Sequence, residues 1–173
     1  ELELTLSVPL LAEGDAAADV EIRHGPVPES ISVEQVLLRD RLTPLAAPAM
    51  LEGRALSAPA DLLGLPLLRT PLQPWAPWWQ AAGISAPEPT TSPRFVDLGL
   101  VLAAALAGQG VALMRLSLAQ QELREGRLVQ PFALTVEAER HYGLVCHRHS
   151  AAADAFAAWL QGHCRALEAA TQP

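Results

Sequence analysis

Five side chains toward the end of the chain have the chemistry of metal ligands: Cys146, His147, His149, His163 and Cys164. Gathering thiolates and imidazoles at one point takes spacings such as C-x-x-C or H-x-x-x-H, and neither occurs. Along a strand successive side chains point to opposite faces, so Cys146 would turn away from His147 and His149. No metal site is expected, and these residues read as structural. Acyl-transfer and phosphate chemistry lack their motifs as well. There is no G-x-S-x-G elbow, P-loop or G-x-G-x-x-G, and Gly108-Gln109-Gly110 falls between a helix and a strand, the wrong order for a phosphate cradle. No catalytic residue and no cofactor are expected. The cluster Trp75-Ala76-Pro77-Trp78-Trp79 offers ring faces for stacking, but tryptophans at helical spacing normally anchor a helix onto its sheet, and core is the expectation.

The chain that must position any site has 173 residues, half of them apolar, enough for one large domain or two small lobes with a substantial core. Twelve basic residues, all arginine and scattered from Arg23 to Arg165, face nineteen acidic ones for a net charge of −7. Nucleic-acid affinity comes mostly from clustered cations neutralising phosphates, so this chain alone is not expected to bind DNA. Two cysteines in a chain of this size do not make a disulfide framework, and both are expected as thiols. The apolar stretch Leu98 to Leu106 is too short to span a bilayer. The opening Glu1-Leu2-Glu3-Leu4 has no initiating Met and no basic or apolar leader, so nothing marks export and the chain is expected to begin in mid-sequence.

Alternation of Leu2, Leu4 and Leu6 with polar residues predicts a first strand. Further strands are predicted at Asp19 to Arg23, Arg41 to Ala46, Leu65 to Thr70, Arg94-Phe95, Val111 to Met114 and Tyr142 to Cys146. Helical patterns lie at Ala58 to Leu63, around the tryptophans, from an Asp97 cap to about Gly108, from Ser117 to Glu125 with Gly126 as its stop, and from about Ser150 to Ala169. The prolines between Ile84 and Pro93 predict an extended loop. Strands and helices alternate, which argues for α/β layers.

The order of landmarks resembles one family. Asp19-Val20-Glu21-Ile22-Arg23-His24-Gly25, Leu42-Thr43-Pro44-Leu45-Ala46-Ala47-Pro48, Leu65-Pro66-Leu67-Leu68-Arg69, Trp75 to Trp79 with Ala82-Gly83, Gly108-Gln109-Gly110-Val111-Ala112-Leu113, Gly126 to Phe132 and Phe156 to Leu160 look like the successive signatures of the LysR-type effector domain, in the branch of the glycine-cleavage and β-lactamase regulators. The resemblance implies a two-lobed fold similar to type 2 periplasmic binding proteins. Residues 1–45 and 130–173 would form the first lobe and 46–129 the second, with hinge crossovers near Pro44 to Pro48 and Val129 to Phe132, where prolines stiffen the backbone. The family's N-terminal helix-turn-helix, linker helix and first effector-domain strand and helix have no counterpart in this sequence.

A cleft between such lobes offers strand ends and helix N-termini suited to small anionic ligands. By matching positions, the resemblance implies that Ser7, Val8, Pro9, His24, Gly25, Ala46, Ala47, Thr70, Phe95, Asp97 and Tyr142 face it. A plainer reading of Thr70 and Asp97 makes them helix caps. The expected function is a cytoplasmic, non-enzymatic sensor that binds a small metabolite and controls transcription through a DNA-binding region outside this chain. It would work as a homodimer or tetramer, with no membrane partner, pairing through the helices that follow Asp97 and Arg148. The alternative on the same fold is a solute-binding protein in transport.

Overall fold

His141 to Cys146 is rich in strand formers and makes β6, the centre of a three-stranded antiparallel sheet in which it lies between β1 (Val20–Gly25) and β2 (Val36–Leu38). The computed structural model describes residue 3, residues 18–25 and residues 36–171. The predicted first strand, and with it Ser7, Val8 and Pro9, therefore lies outside the described residues apart from Glu3. The final helix, named α5 below (Ala151–Thr171), begins as expected at Ser150, whose hydroxyl accepts the Ala153 N–H at 3.1 Å. Its apolar side packs Ala157, Leu160 and Cys164 with Leu37 and Leu144.

A second sheet has the order β4 (Ala112–Arg115), β3 (Arg41–Leu45), β5 (Val136–Glu137), antiparallel throughout. Two single parallel bridges extend it, Leu67 with Val111 and Arg69 with Arg94, where continuous strands were predicted. Pro66 and Pro93, which lack an N–H to donate, help keep this pairing short. Around the sheet lie α1 (Pro48–Leu51), a 3-10 turn at Pro59–Gly64, α2 (Ala76–Ala81), α3 (Leu98–Leu106) and α4 (Leu116–Arg124). Both α3 and α4 end just before glycines of positive φ, Gly108 and Gly126, the left-handed geometry that glycine alone adopts without cost.

Trp75, Trp78 and Trp79 are core, as their spacing predicts. All three are at most 1 % exposed. Trp75 stacks on Trp79, with centroids 5.3 Å apart, and the indole N–H groups of Trp75 and Trp78 donate to the carbonyls of Leu68 and Leu134. Helix α1, for which the sequence carries no helical periodicity, starts at Pro48, whose fixed φ suits the first helical position.

The chain divides into two compact units: one of the residues up to Leu38 with Arg140–Ala166, the other of Arg39–Glu139, to which the residues from Leu167 are also assigned. These divisions fall outside the proline-marked crossovers expected at Pro44 to Pro48 and Val129 to Phe132. The reason is pairing: β3 is bonded to β4 on one side and β5 on the other, so Arg41 to Leu45 and Val136-Glu137 belong to the second sheet.

Candidate functional site

Register decides which expected residues can act together. In the second unit, Leu67 pairs in parallel with Val111, and Arg69 with Arg94, so the segments ending at Thr70, Phe95 and Arg115 all run in one direction. Thr70, Phe95 and Asp97 are thereby brought to one edge of the sheet, its carboxyl edge. The antiparallel match of Leu42 with Arg115 puts the start of β3 at that same edge. Leu45 opposite Ala112 then carries Ala46 and Ala47 to the far edge. Ala46 is 0 % exposed in a core cluster with Trp75 and Trp78, and exchanges two backbone hydrogen bonds with Val129. Ala47 is also buried, as the N-cap of α1. Neither alanine joins the edge residues.

The polar groups at the edge have local work. Thr70 Oγ1 accepts the Leu72 N–H at 3.2 Å, closing a turn and not a helix cap. Asp97 Oδ1 accepts the Leu100 N–H at 2.9 Å and caps α3. Phe95 takes its N–H to the Arg69 carbonyl and packs its ring on the core beneath α3. A shallow depression of about 480 Å³ beside α2, lined by Trp79, Gln80, Gly83 and Ile84, contains none of the expected residues.

Sequence reasoning missed a buried polar group at this edge. Arg115 Nη1 lies 3.8 Å from Asp40 Oδ2, and Arg115 Nε donates to Gln73 Oε1 at 3.1 Å. Gln73 Nε2 in turn donates to the Leu113 carbonyl at 2.9 Å. The missed signal was composition: an acid and a base bounding or following apolar strands, Asp40 before β3 and Arg115 at the end of β4.

In the first unit, β1 and β2 both run antiparallel to β6 and end level with its start. His24 is opposite Tyr142, ring centroids 4.8 Å apart and tilted 42°, and Gly25 is opposite His141. A Cβ added to Gly25 would meet nothing within 4 Å. His24, Gly25 and Tyr142 thus share the edge at which the chain leaves this unit, after Leu38 and before Arg140. At the other end of the sheet His147 Nε2 is 2.8 Å from Glu21 Oε2, while Arg23 binds the same carboxylate through two nitrogens at 2.8 Å. The Arg23 fork, against the opposing effect of burial and helped by His147, holds the Glu21 carboxyl below its ordinary range. His149 pairs with Asp154, and Cys146 and Cys164 are thiols, not a disulfide. Among the described residues no group of three or more His, Cys, Asp or Glu could hold a metal, and no helix is long and apolar enough to cross a membrane.

The model of the LysR substrate binding domain matches residues 2–165. The chain belongs to that family. Among curated proteins, this LysR substrate-binding domain is 32% identical over 148 residues to the HTH-type transcriptional activator AmpR of Citrobacter freundii, covering 83% of this chain and 50% of that protein. It is 34% identical over 127 residues to the glycine cleavage system transcriptional activator of Escherichia coli K12, covering 72% and 42%. The chain spans half or less of the length of these relatives. Among solved structures, the effector domain of AmpR from Pseudomonas aeruginosa superposes with a TM-score of 0.71 at 31% identity, over 88% of this chain and 75% of that one. The AmpR effector binding domain of Citrobacter freundii gives 0.70 at 29%, over 86% and 75%. The fold is accordingly the α/β, type 2 periplasmic-binding-protein-like fold of LysR effector domains.

Proposed function

We propose that this LysR substrate-binding domain is the effector sensor of a cytoplasmic transcription regulator, that it is not an enzyme, and that it binds a small metabolite. The observation that carries the reading is a cluster of polar and aromatic groups at one sheet edge in each unit taken by itself: His24, Gly25 and Tyr142 in the first, and Thr70, Phe95 and Asp97 in the second. Tyr142 and His24 supply hydroxyl, imidazole and ring faces, and the first turn of α3 supplies amides that favour an anionic group. An amino acid, a small organic acid or a peptidoglycan fragment has the chemistry for such groups. Names of the matched relatives, all transcription regulators, favour regulation over transport.

DNA contact is assigned to a part of the protein outside this chain, since its net charge is −7. Self-association is assigned to α3, whose sequence Leu98–Leu106 has no polar side chain and leaves Leu100 56 % exposed, next to Val96 at 70 %.

The test is a thermal melt of the chain against amino acids, small dicarboxylic acids and peptidoglycan fragments. A ligand that binds only the folded state raises the midpoint with the logarithm of its concentration. One class is expected to do so, and Tyr142→Phe to diminish the shift while leaving the unliganded midpoint in place. A midpoint unmoved by every class at saturating concentration overturns the sensor reading.

A further inference from the structure

Arg115 and Asp40 are 2 % and 3 % exposed, opposite charges taken almost wholly out of water. Removing two ions from water costs about as much as their attraction returns, so a buried pair is weak evidence of stabilisation. Its meaning lies in what it holds. The Asp40 carboxylate accepts the Ser117 N–H in the first turn of α4 at 3.2 Å and also the Ser117 hydroxyl. It thereby caps a helix whose own N-cap residue, Arg115, makes no side-chain cap bond. The same carboxylate accepts the Arg41 N–H at 3.0 Å, tying down the start of β3. The Asp40 carbonyl accepts the Ala138 N–H at 2.9 Å, just past β5. Asp40 and Ala138 each stand one residue inside the ends of the continuous segment Arg39–Glu139 that forms the second unit. Through Arg115 and Gln73 the network also reaches the Thr70 turn, where the Gln73 N–H donates to the Thr70 carbonyl at 3.4 Å.

We infer that Asp40 is a positioning residue that fastens both passages of the chain out of the second unit to α4 and Arg115. The backbone change that accompanies effector binding is then confined to residues before Asp40 and after Ala138. An effector at the Thr70 edge bears on this fastening through Gln73 and Arg115. The regulatory meaning rests on the sensing role proposed above. The fastening itself is tested without any effector, so the two can fail separately.

The experiment is residue-resolved amide hydrogen exchange on the whole chain, comparing wild type with Asp40→Ala. Exchange through local opening reports the free energy of breaking a particular hydrogen bond. The expected result is that the Ser117 and Ala138 amides both exchange roughly tenfold faster or more, while Ala46 and Val129, bonded to each other's carbonyls at the far edge, keep their wild-type rates. Faster exchange at Ser117 with Ala138 unchanged would reduce Asp40 to a helix cap and overturn the inference. So would a uniform increase that includes Ala46 and Val129, which marks a general loss of stability. Should Asp40→Ala not fold, Arg115→Gln is read by the same criteria, with a smaller rise expected at the same two amides.

Discussion

Ala46 is a small residue in a place that has no spare volume, so its conversion to leucine adds three carbons to a core already closed by Trp75, Trp78 and Leu113. Overpacking of this kind costs about 1–3 kcal/mol. Ala46→Leu is expected to lower the unfolding free energy read from urea melts by that amount while any effector-induced thermal shift survives, since the residue is at the edge away from Thr70 and Asp97. Glu21 is a different case, on the surface and in charge contact with Arg23 and His147. Its folded pKa is below the ordinary 4.5, so its contribution is present above pH 4.5 and is lost as pH falls through the lower, folded value. Arg23 is more than half exposed, and salt screens such pairs, so the contribution is small. Urea melts should find Glu21→Gln slightly less stable than wild type at pH 6, the gap closing in acid and in high salt. A gap that persists well below pH 4 would exclude ionisation as its source. Asp97 shows that a role set by near neighbours is legible in the sequence: its side chain accepts the amide of Leu100, three residues on, and caps α3. The Asp40 role was not legible, because its partners Ser117 and Ala138 come from remote parts of the chain.

Elements built on local patterns, α3, α4, α5, β1, β3 and β6, lie within a few residues of where periodicity, caps and glycine stops place them. The two-residue β5 and three-residue β2 carry no periodicity to detect, and exist because β3 and β6 offer them an edge. Proline fixes its own φ but says nothing about which strand lies alongside, and Pro44 sits within the β3 ladder opposite Leu113. Single bridges make their own demand on sequence. At Gly110 a Cβ would lie 2.7 Å from the Pro66 carbonyl and 2.8 Å from a Leu68 methyl, because the chain must approach closely for Val111 to bond Pro66 and Leu68. Gly110→Ala is expected to force these segments apart, costing about 2 kcal/mol and lowering the melting midpoint by on the order of 5 °C. A midpoint within a degree or so of wild type would mean that the approach is looser than described.

Across the whole molecule, the exposed apolar surface of α3 carries the expectation of self-association. Leu100→Glu places a charge where Leu100 and Val96 are exposed, and should shift sedimentation toward monomer without altering the melt of the unliganded chain. Unchanged assembly in that variant would move the interface elsewhere. The order of strands in the first sheet, β1-β6-β2, also bears on how the protein is made. Among the described residues β1 and β2 share no ladder, and each pairs with β6, which is translated after residues 39–139. On the ribosome, residues 39–139 can close their sheet while β1 and β2 still lack β6, so the nascent chain passes through a stage in which the second sheet is formed and the edges of β1 and β2 that β6 will cover are open to chaperones or to pairing with another copy.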